Sequence, residues 1–259
     1  MTTPASRTRT ALVLRRLAAC APLSEEDVRV LGGLDGSVRQ HVARTELCAQ
    51  GEILHPRAFV AGWASRETVL ADGRRQIISF IVPGDLIGVA PGQPRPATHS
   101  IVALTAGATV DAEVLRKAVG RAVDDGAGIG DALRALATVE EAMARDQIVR
   151  LGRQTAYERV AHLFLELHGR AATVGLADGR RFNFPLTQEM MADALGLSVV
   201  HVNRTVQQMR REGVIEWRAG AVTLLRRDEL ITVAGWSPLP GVRAAPVPDD
   251  WRVLPPGMA

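Results

Sequence analysis

Lysine is almost missing from this chain: Lys117 stands alone among 31 basic residues, the rest being arginine. The formal net charge of +3 is small for 259 residues, so only a local cluster of arginines would argue for a polyanionic partner. Cysteine is nearly as scarce. Cys20 and Cys48 lie far apart and form no CxxC pair, which excludes a disulfide framework and any four-cysteine zinc or iron–sulfur site. No run approaches the ~18 apolar residues of a membrane span, and the Arg/Thr-rich N-terminus lacks the apolar segment of a signal peptide. A cytoplasmic location away from membranes is expected. Paired carboxylates, metal-ligand spacing and a phosphate-cradling glycine loop are also lacking, so no catalysis, metal or cofactor is expected. His99-Ser100 is not a catalytic pair, because no third group follows by spacing.

What is there reads as globular: 47% of residues are hydrophobic and 23% charged, with length for one large or two modest domains. Residues 11–34 look helical, with Ser24 and the acids Glu25, Glu26 and Asp27 forming an N-cap and first turn. From 43 to 111 the texture changes to short strands. Asp72-Gly73 predicts a two-residue type I′ hairpin turn. The strand "RRQIISFIV" then sets Gln76, Ile78, Phe80 and Val82 on one face and Ile77, Ser79 and Ile81 on the other, mostly buried on both sides. "PGD" at 83–85 is a turn, and "APGQPRPATHS" is a loop before the apolar run 101–104. Short strands at this spacing predict a β-barrel or β-roll.

Residues 112–119 predict a short helix, and "DDGAGIG" at 124–130 a hinge-like break before a long helix. On that helix Ile129, Leu133, Leu136 and Met143 keep a stripe that Glu140 interrupts. The stripe is assigned to a dimer contact, with packing on the β domain as the alternative. A second helix, 155–169, carries Ala156, Val160, Leu163 and Leu167 on one face and ends near Gly169. The Pro-rich stretch after Trp236 shows no apolar period and is expected to be a disordered or loosely packed tail.

The chemistry concentrates in "PLTQEMMADALGLSVVHVNRTVQQMRR" at 185–211. Thr187 caps a helix that Gly196 stops, and Ser198 caps the next one. So short a Gly-containing linker predicts a helix-turn-helix. On the second helix Val202, Val206 and Met209 face Met190, Ala194 and Leu197 of the first. Val200, Asn203, Arg204, Gln207 and Arg211 then face outward with no carboxylate among them. Arginine matches guanine O6 and N7, Asn and Gln match adenine, and valine suits a thymine methyl. Val200, Asn203, Arg204 and Gln207 are therefore the candidate base readers. Thr187, Ser198, His201, Arg211 and, on the following strands, Arg218 are candidate phosphate contacts, with Arg226 and Arg227 nearby. Around Ala219-Gly220 the apolar alternation predicts a two-stranded wing. The competing reading is a ligand-binding or protein-interaction module whose winged helix is only a scaffold; lack of salt-dependent duplex binding would mark it.

On these motifs the chain resembles the Crp/Fnr superfamily of bacterial transcription regulators over residues 20–235. "LTQEMMADALGLSVVHVNRTVQQMRREGVI" looks like that family's winged helix-turn-helix, and Arg204 falls at its central base-reading arginine. "GRRQIISFIVPGDLIG" resembles the signature of its cyclic-nucleotide-binding-type β-roll, and the long helix from 129 its dimerisation helix. The resemblance implies an α+β fold: an N-terminal antiparallel β-roll (a cupin-like jelly roll) with flanking helices, a long dimerisation helix and a C-terminal winged helix-turn-helix. The implied segments are a sensor domain at 1–126, a dimerisation helix and hinge at 127–153, a DNA-binding domain at 154–235 and a tail at 236–259. It also implies a homodimer on pseudo-palindromic double-stranded DNA, RNA polymerase as a further partner, and a small-molecule effector of unknown identity.

The chain departs from the family where effectors bind. Val89 follows Gly88 where members that bind cyclic AMP place a glutamate, and Ala97 and Thr98 stand where they place an Arg-Ser/Thr pair. Arg95 is two residues away. A buried phosphate without a paired cation is costly, so a cyclic nucleotide is not expected. His41, His55 and His99 are nominal haem ligands, but a lone histidine is more often an ordinary one. The candidate effector pocket comprises Gly84, Asp85, Gly88, Val89, Arg95, Thr98 and His99. At the readout stripe, Val200 replaces the glutamate that many members use to accept from cytosine.

Overall fold

The computed structural model describes residues 4–35, 38–89, 93–119 and 128–238. The expected tail beyond 238, the first part of the expected hinge and positions 90–92 of the Pro-rich loop lie outside them. The N-terminal helical stretch is two helices, α1 (Pro4–Ala18) and α2 (Glu25–Gly32). Ser24 divides them with a capping box: its hydroxyl accepts from the Asp27 amide, and the Asp27 carboxylate accepts from the Ser24 amide.

Eight strands follow: β1 (Arg39–His41), β2 (Glu46–Cys48), β3 (Arg57–Ala61), β4 (Ala64–Val69), β5 (Arg75–Ile81), β6 (Leu86–Ile87), β7 (Ser100–Ala103) and β8 (Gly107–Asp111). They form two four-stranded antiparallel sheets, ordered β1-β8-β3-β6 and β2-β7-β4-β5, which make the β-roll. The β4–β5 hairpin forms where Asp72-Gly73 placed it, but with a three-residue loop. Gly73 alone has a positive φ, +84°, and donates to the Leu70 carbonyl, while the Leu70 amide donates to Arg74. That is a type I turn closed by a left-handed glycine, the other common way to match the strand twist. On β5, Ile78 is 41% exposed, so burial on both faces fails at that position.

The roll leads through α3 (Glu113–Val119) to α4 (Ile129–Arg153). Here one expectation is corrected. Ile129 and Leu133 are 3% and 7% exposed within a single copy of the chain, packed with Leu14, Leu17 and Val60. Leu136 is half-buried against the same cluster, and Met143 is half-buried facing β5. The interrupted stripe thus packs on the chain's own β-roll and α1, the alternative left open by its pattern, because those surfaces need cover.

Next come α5 (Ala156–Thr173), β9 (Ala177–Asp178), β10 (Arg181–Asn183), α6 (Gln188–Leu195), α7 (Val199–Arg211), β11 (Ile215–Arg218), β12 (Ala221–Leu224) and α8 (Arg227–Ala234). The wing is larger than two strands: its sheet runs β11-β12-β10-β9. Helix α5 passes Gly169 and continues a turn further, to Thr173, and the Trp236 ring lies over that glycine, 3.6 Å from where a Cβ would stand. Gly169 therefore does not stop the helix. The core around α5 joins Phe164, Phe182, Phe184, Met191 and Val206 to Ile77, Phe80 and Leu104 of the roll, so hydrophobic packing is continuous across the expected domain boundaries.

Candidate DNA interface

Local chemistry fixes the two crossing helices. Thr187 and Ser198 hydroxyls accept from the Met190 and His201 amides at 3.2 Å each. Gly196 ends α6 in the left-handed region at φ +61°, a conformation that costs a side-chain-bearing residue and not glycine. Val202, Val206 and Met209 are almost fully buried with Met191, Ala194 and Leu195, and Met190 and Leu197 pack at the edge of that core.

The end of α6 is also tied to the rest of the molecule. The Ala194 carbonyl accepts from Gln147 of α4 at 2.7 Å and Gln76 of β5 at 3.3 Å, and the Leu195 carbonyl from Arg159 at 2.8 Å. Arg75 of β5 pairs with Asp193 at 2.6 Å. Carbonyls that a helix end leaves without partners are thus satisfied by three other elements.

The outward face of α7 matches its sequence reading. Val200, Asn203, Arg204 and Arg211 are exposed and Gln207 is half-buried. Among the described residues Arg204 and Arg211 make no ion pair, and the first turn carries no acid. Glu212, just past the helix, accepts from Gln208 at 2.9 Å and Tyr157 at 2.8 Å. Those two hydrogen bonds hold its carboxyl below the usual range, and burial with the same contact raises the Tyr157 hydroxyl. The carboxylate that follows α7 is therefore engaged at the helix end.

Other predicted contacts are partly committed. Asn203 donates through Nδ2 to Gln188 Oε1 at 2.9 Å, which makes Gln188 an addition to the surface. Its position one residue after the Thr187 cap was the available signal. Arg218 pairs with Glu216 at 2.9 Å on the wing, whose hairpin has positive φ at Ala219 and Gly220 as a type I′ turn requires. Arg226 pairs with Glu229, and Arg227 sits over Trp236. His201 is exposed.

The expected effector residues do not form one site. A cavity of about 260 Å³ lies between β5, α4 and α5, and of the seven only Asp85 and His99 reach it. Gly84 is closed off by Val174 and the Leu12 carbonyl, and Gly88 by the backbone at His55. Val89 packs in the core beneath α4, Arg95 takes part through its backbone carbonyl, and the Thr98 hydroxyl lies 3.0 Å from His99 Nδ1. The cavity is lined instead by Arg16, Arg66, Arg150 and Arg170 with Glu140 and Glu166, brought together from four elements with no common spacing.

Asp85 pairs with Arg16 at 2.9 Å and with Arg170, and accepts from the Val82 amide. Glu166 pairs with Arg150 at 2.5 Å and Arg170 at 3.4 Å. Burial pushes both carboxyls up, but the guanidiniums beside them prevail and hold them below the usual range. Burial, with Arg66 nearby, lowers His99, whose Nε2 has no partner.

A capped helix-turn-helix with an acid-free outer face and a β wing defines a DNA-binding protein of the winged helix-turn-helix class. Residues 158–233 match the Crp-like helix-turn-helix domain. The chain is 30% identical over 211 residues to the transcriptional activatory protein AadR of Rhodopseudomonas palustris, covering 81% of this chain and 85% of that one. It is 31% identical over 206 residues to a probable transcriptional activator of Rhizobium leguminosarum bv. viciae, covering 78% and 82%. The structure of FixK2 from Bradyrhizobium japonicum superposes with a TM-score of 0.66 at 27% identity, covering 78% of this chain and 98% of that one. The chain belongs to the Crp/Fnr family, and it is a DNA-binding transcription regulator. Among the described residues no helix is long and apolar enough to cross a membrane.

Proposed function

We propose that this regulator acts as a homodimer that places one copy of α7 in each of two successive major-groove segments of a pseudo-palindromic duplex. The observation that carries the reading is the outer face of α7, where Val200, Asn203, Arg204, Gln207 and Arg211 stand without a carboxylate among them. Arg204 reads guanine, Asn203 and Gln207 adenine edges, and Val200 a thymine methyl. Thr187, Ser198, His201, Arg211 and Arg218 set the register on phosphates. The two copies pair along the outer side of α4, where Ala137, Glu141, Ala144 and Ile148 recur at heptad spacing and all are exposed. Ile148, 71% exposed in one copy, supports that face over the stripe packed on the roll.

Residues 1–126 act as the sensor, 127–153 as the dimerisation link and 154–235 as the DNA-binding domain. A small-molecule effector takes the cavity between roll, α4 and α5. The protein works in the cytoplasm, without catalysis, and meets RNA polymerase at its promoters. Selection of bound sequences from a random duplex library at near-physiological salt tests the reading. The expected product is an inverted repeat with half-sites ~10 base pairs apart. Weak, salt-sensitive binding with no enriched sequence would overturn it for the effector-free protein.

A further inference from the structure

We infer that the first turn of α7 recognises the 5-methyl groups of two adjacent thymines through Val199 and Val200. The inference rests on the duplex-binding reading and narrows it to a class of half-site. Val199 and Val200 are 45% and 66% exposed, and they are consecutive at the helix N-terminus. That end of a recognition helix contacts base edges in the major groove.

Nothing in the folding of α7 calls for valine at either place. The helix core is already made by Val202, Val206 and Met209, at most 1% exposed. The cap is supplied by the Ser198 hydroxyl. A β-branched residue on an exposed helical surface is a poor helix former, because its χ1 freedom is lost against the preceding turn. Two such residues side by side, in a first turn that carries no acid, form an apolar step on a face otherwise made of amides and arginine.

The major groove offers one apolar group to such a step, the methyl of thymine. Against cytosine the same valines would cover the N4 amino group, and against guanine the O6 and N7 acceptors, without returning a hydrogen bond. Leaving those groups desolvated and unpaired is unfavourable. The pair therefore selects by attraction to methyl groups and by rejection of bare polar edges. The neighbouring Asn203 amide, tied to Gln188 at 2.9 Å, cannot swing over to replace either contact without breaking that bond.

The test takes the full chain and its selected half-site and replaces each thymine in turn by deoxyuridine. That change deletes one methyl and keeps every groove hydrogen bond. Kd is expected to rise about fourfold at each of two adjacent positions per half-site, the equivalent of ~0.8 kcal/mol per buried methyl. Val199→Ala with Val200→Ala, which favours the helix intrinsically, should erase the thymine–uracil discrimination at those positions. 5-Methylcytosine placed there should bind better than cytosine. Equal binding of thymine and uracil duplexes, or discrimination that survives in the double variant, would overturn the inference while leaving the DNA interface standing. A chain that enriches no duplex overturns both.

Discussion

Arginine does opposite work at the two ends of this molecule. On α7, Arg204 and Arg211 reach into solvent and pair with no carboxylate among the described residues. At the junction of α1, α4, α5 and the turn after β5, Arg16, Arg150 and Arg170 are buried, and Asp85 and Glu166 are each shared between two of them. The first group keeps its charge available for a partner. The second uses its charge up inside the fold, where a cation without a partner would be prohibitive. Composition counts both alike, which is why the net charge of +3 says so little.

The largest way to break this contrast is at the junction. Glu166→Ala leaves Arg150 and Arg170 facing each other without their shared carboxylate, and should destabilise the fold by about 3–5 kcal/mol in urea unfolding. The same pairs set a pH dependence. Asp85 and Glu166 have carboxyls held below their unfolded values, so their stabilisation is full above about pH 4 and is lost as pH falls through the folded values. Unfolding measured from neutral to acid should show that decline, and Glu166→Gln should make it shallower.

Next in size is the outer side of α4. Ile148→Arg sets two cations against each other across the proposed two-fold contact, and should weaken the dimer by roughly 3 kcal/mol in sedimentation. Unfolding of the single chain should change by no more than about 0.5 kcal/mol. Sedimentation unchanged from the unsubstituted chain would place the contact elsewhere.

Arg204→Ala turns the contrast to the exposed group. Duplex binding should fall by about 1–3 kcal/mol with relaxed choice at one base pair, while the urea midpoint stays where it was. A loss equal over all sequences would make Arg204 a phosphate contact. The smallest effect is expected between the two regions. Arg75 and Asp193, at side-chain exposures of 29% and 25%, are screened by water, so Asp193→Ala, which leaves Arg75 beside Glu67, should cost only about 0.5–1 kcal/mol. That cost should shrink in concentrated salt.

These differences follow how far apart the cooperating residues lie in the chain. The helix-turn-helix was legible because Thr187, Gly196 and Ser198 act on their own neighbours, and the helical period sorts Val202 and Val206 from Arg204 and Gln207. Asp178-Gly179 carried an equally local signal for the β9–β10 hairpin, one that the reading of the C-terminal half passed over. Five of the seven expected effector residues lie away from the cavity for the opposite reason. They were chosen by position in two short stretches, 84–89 and 95–99, while the cavity gathers Arg66 from β4, Glu140 from α4 and Glu166 from α5 around Asp85 and His99.

The sequence by itself determined the DNA-reading unit, since caps, a left-handed glycine and an acid-free stripe depend on interactions within a few residues. It also determined the β-roll, through strand length and turn chemistry. Only the tertiary structure decided which side of α4 is free. A stripe of Ile129, Leu133 and Leu136 looks the same whether it covers a second copy or the chain's own roll, and burial against Leu14, Leu17 and Val60 chose the roll. Tertiary structure likewise decided which arginines are free to bind. Whether a guanidinium meets water or Asp85 depends on chain segments brought together from far apart, and no local spacing records that meeting.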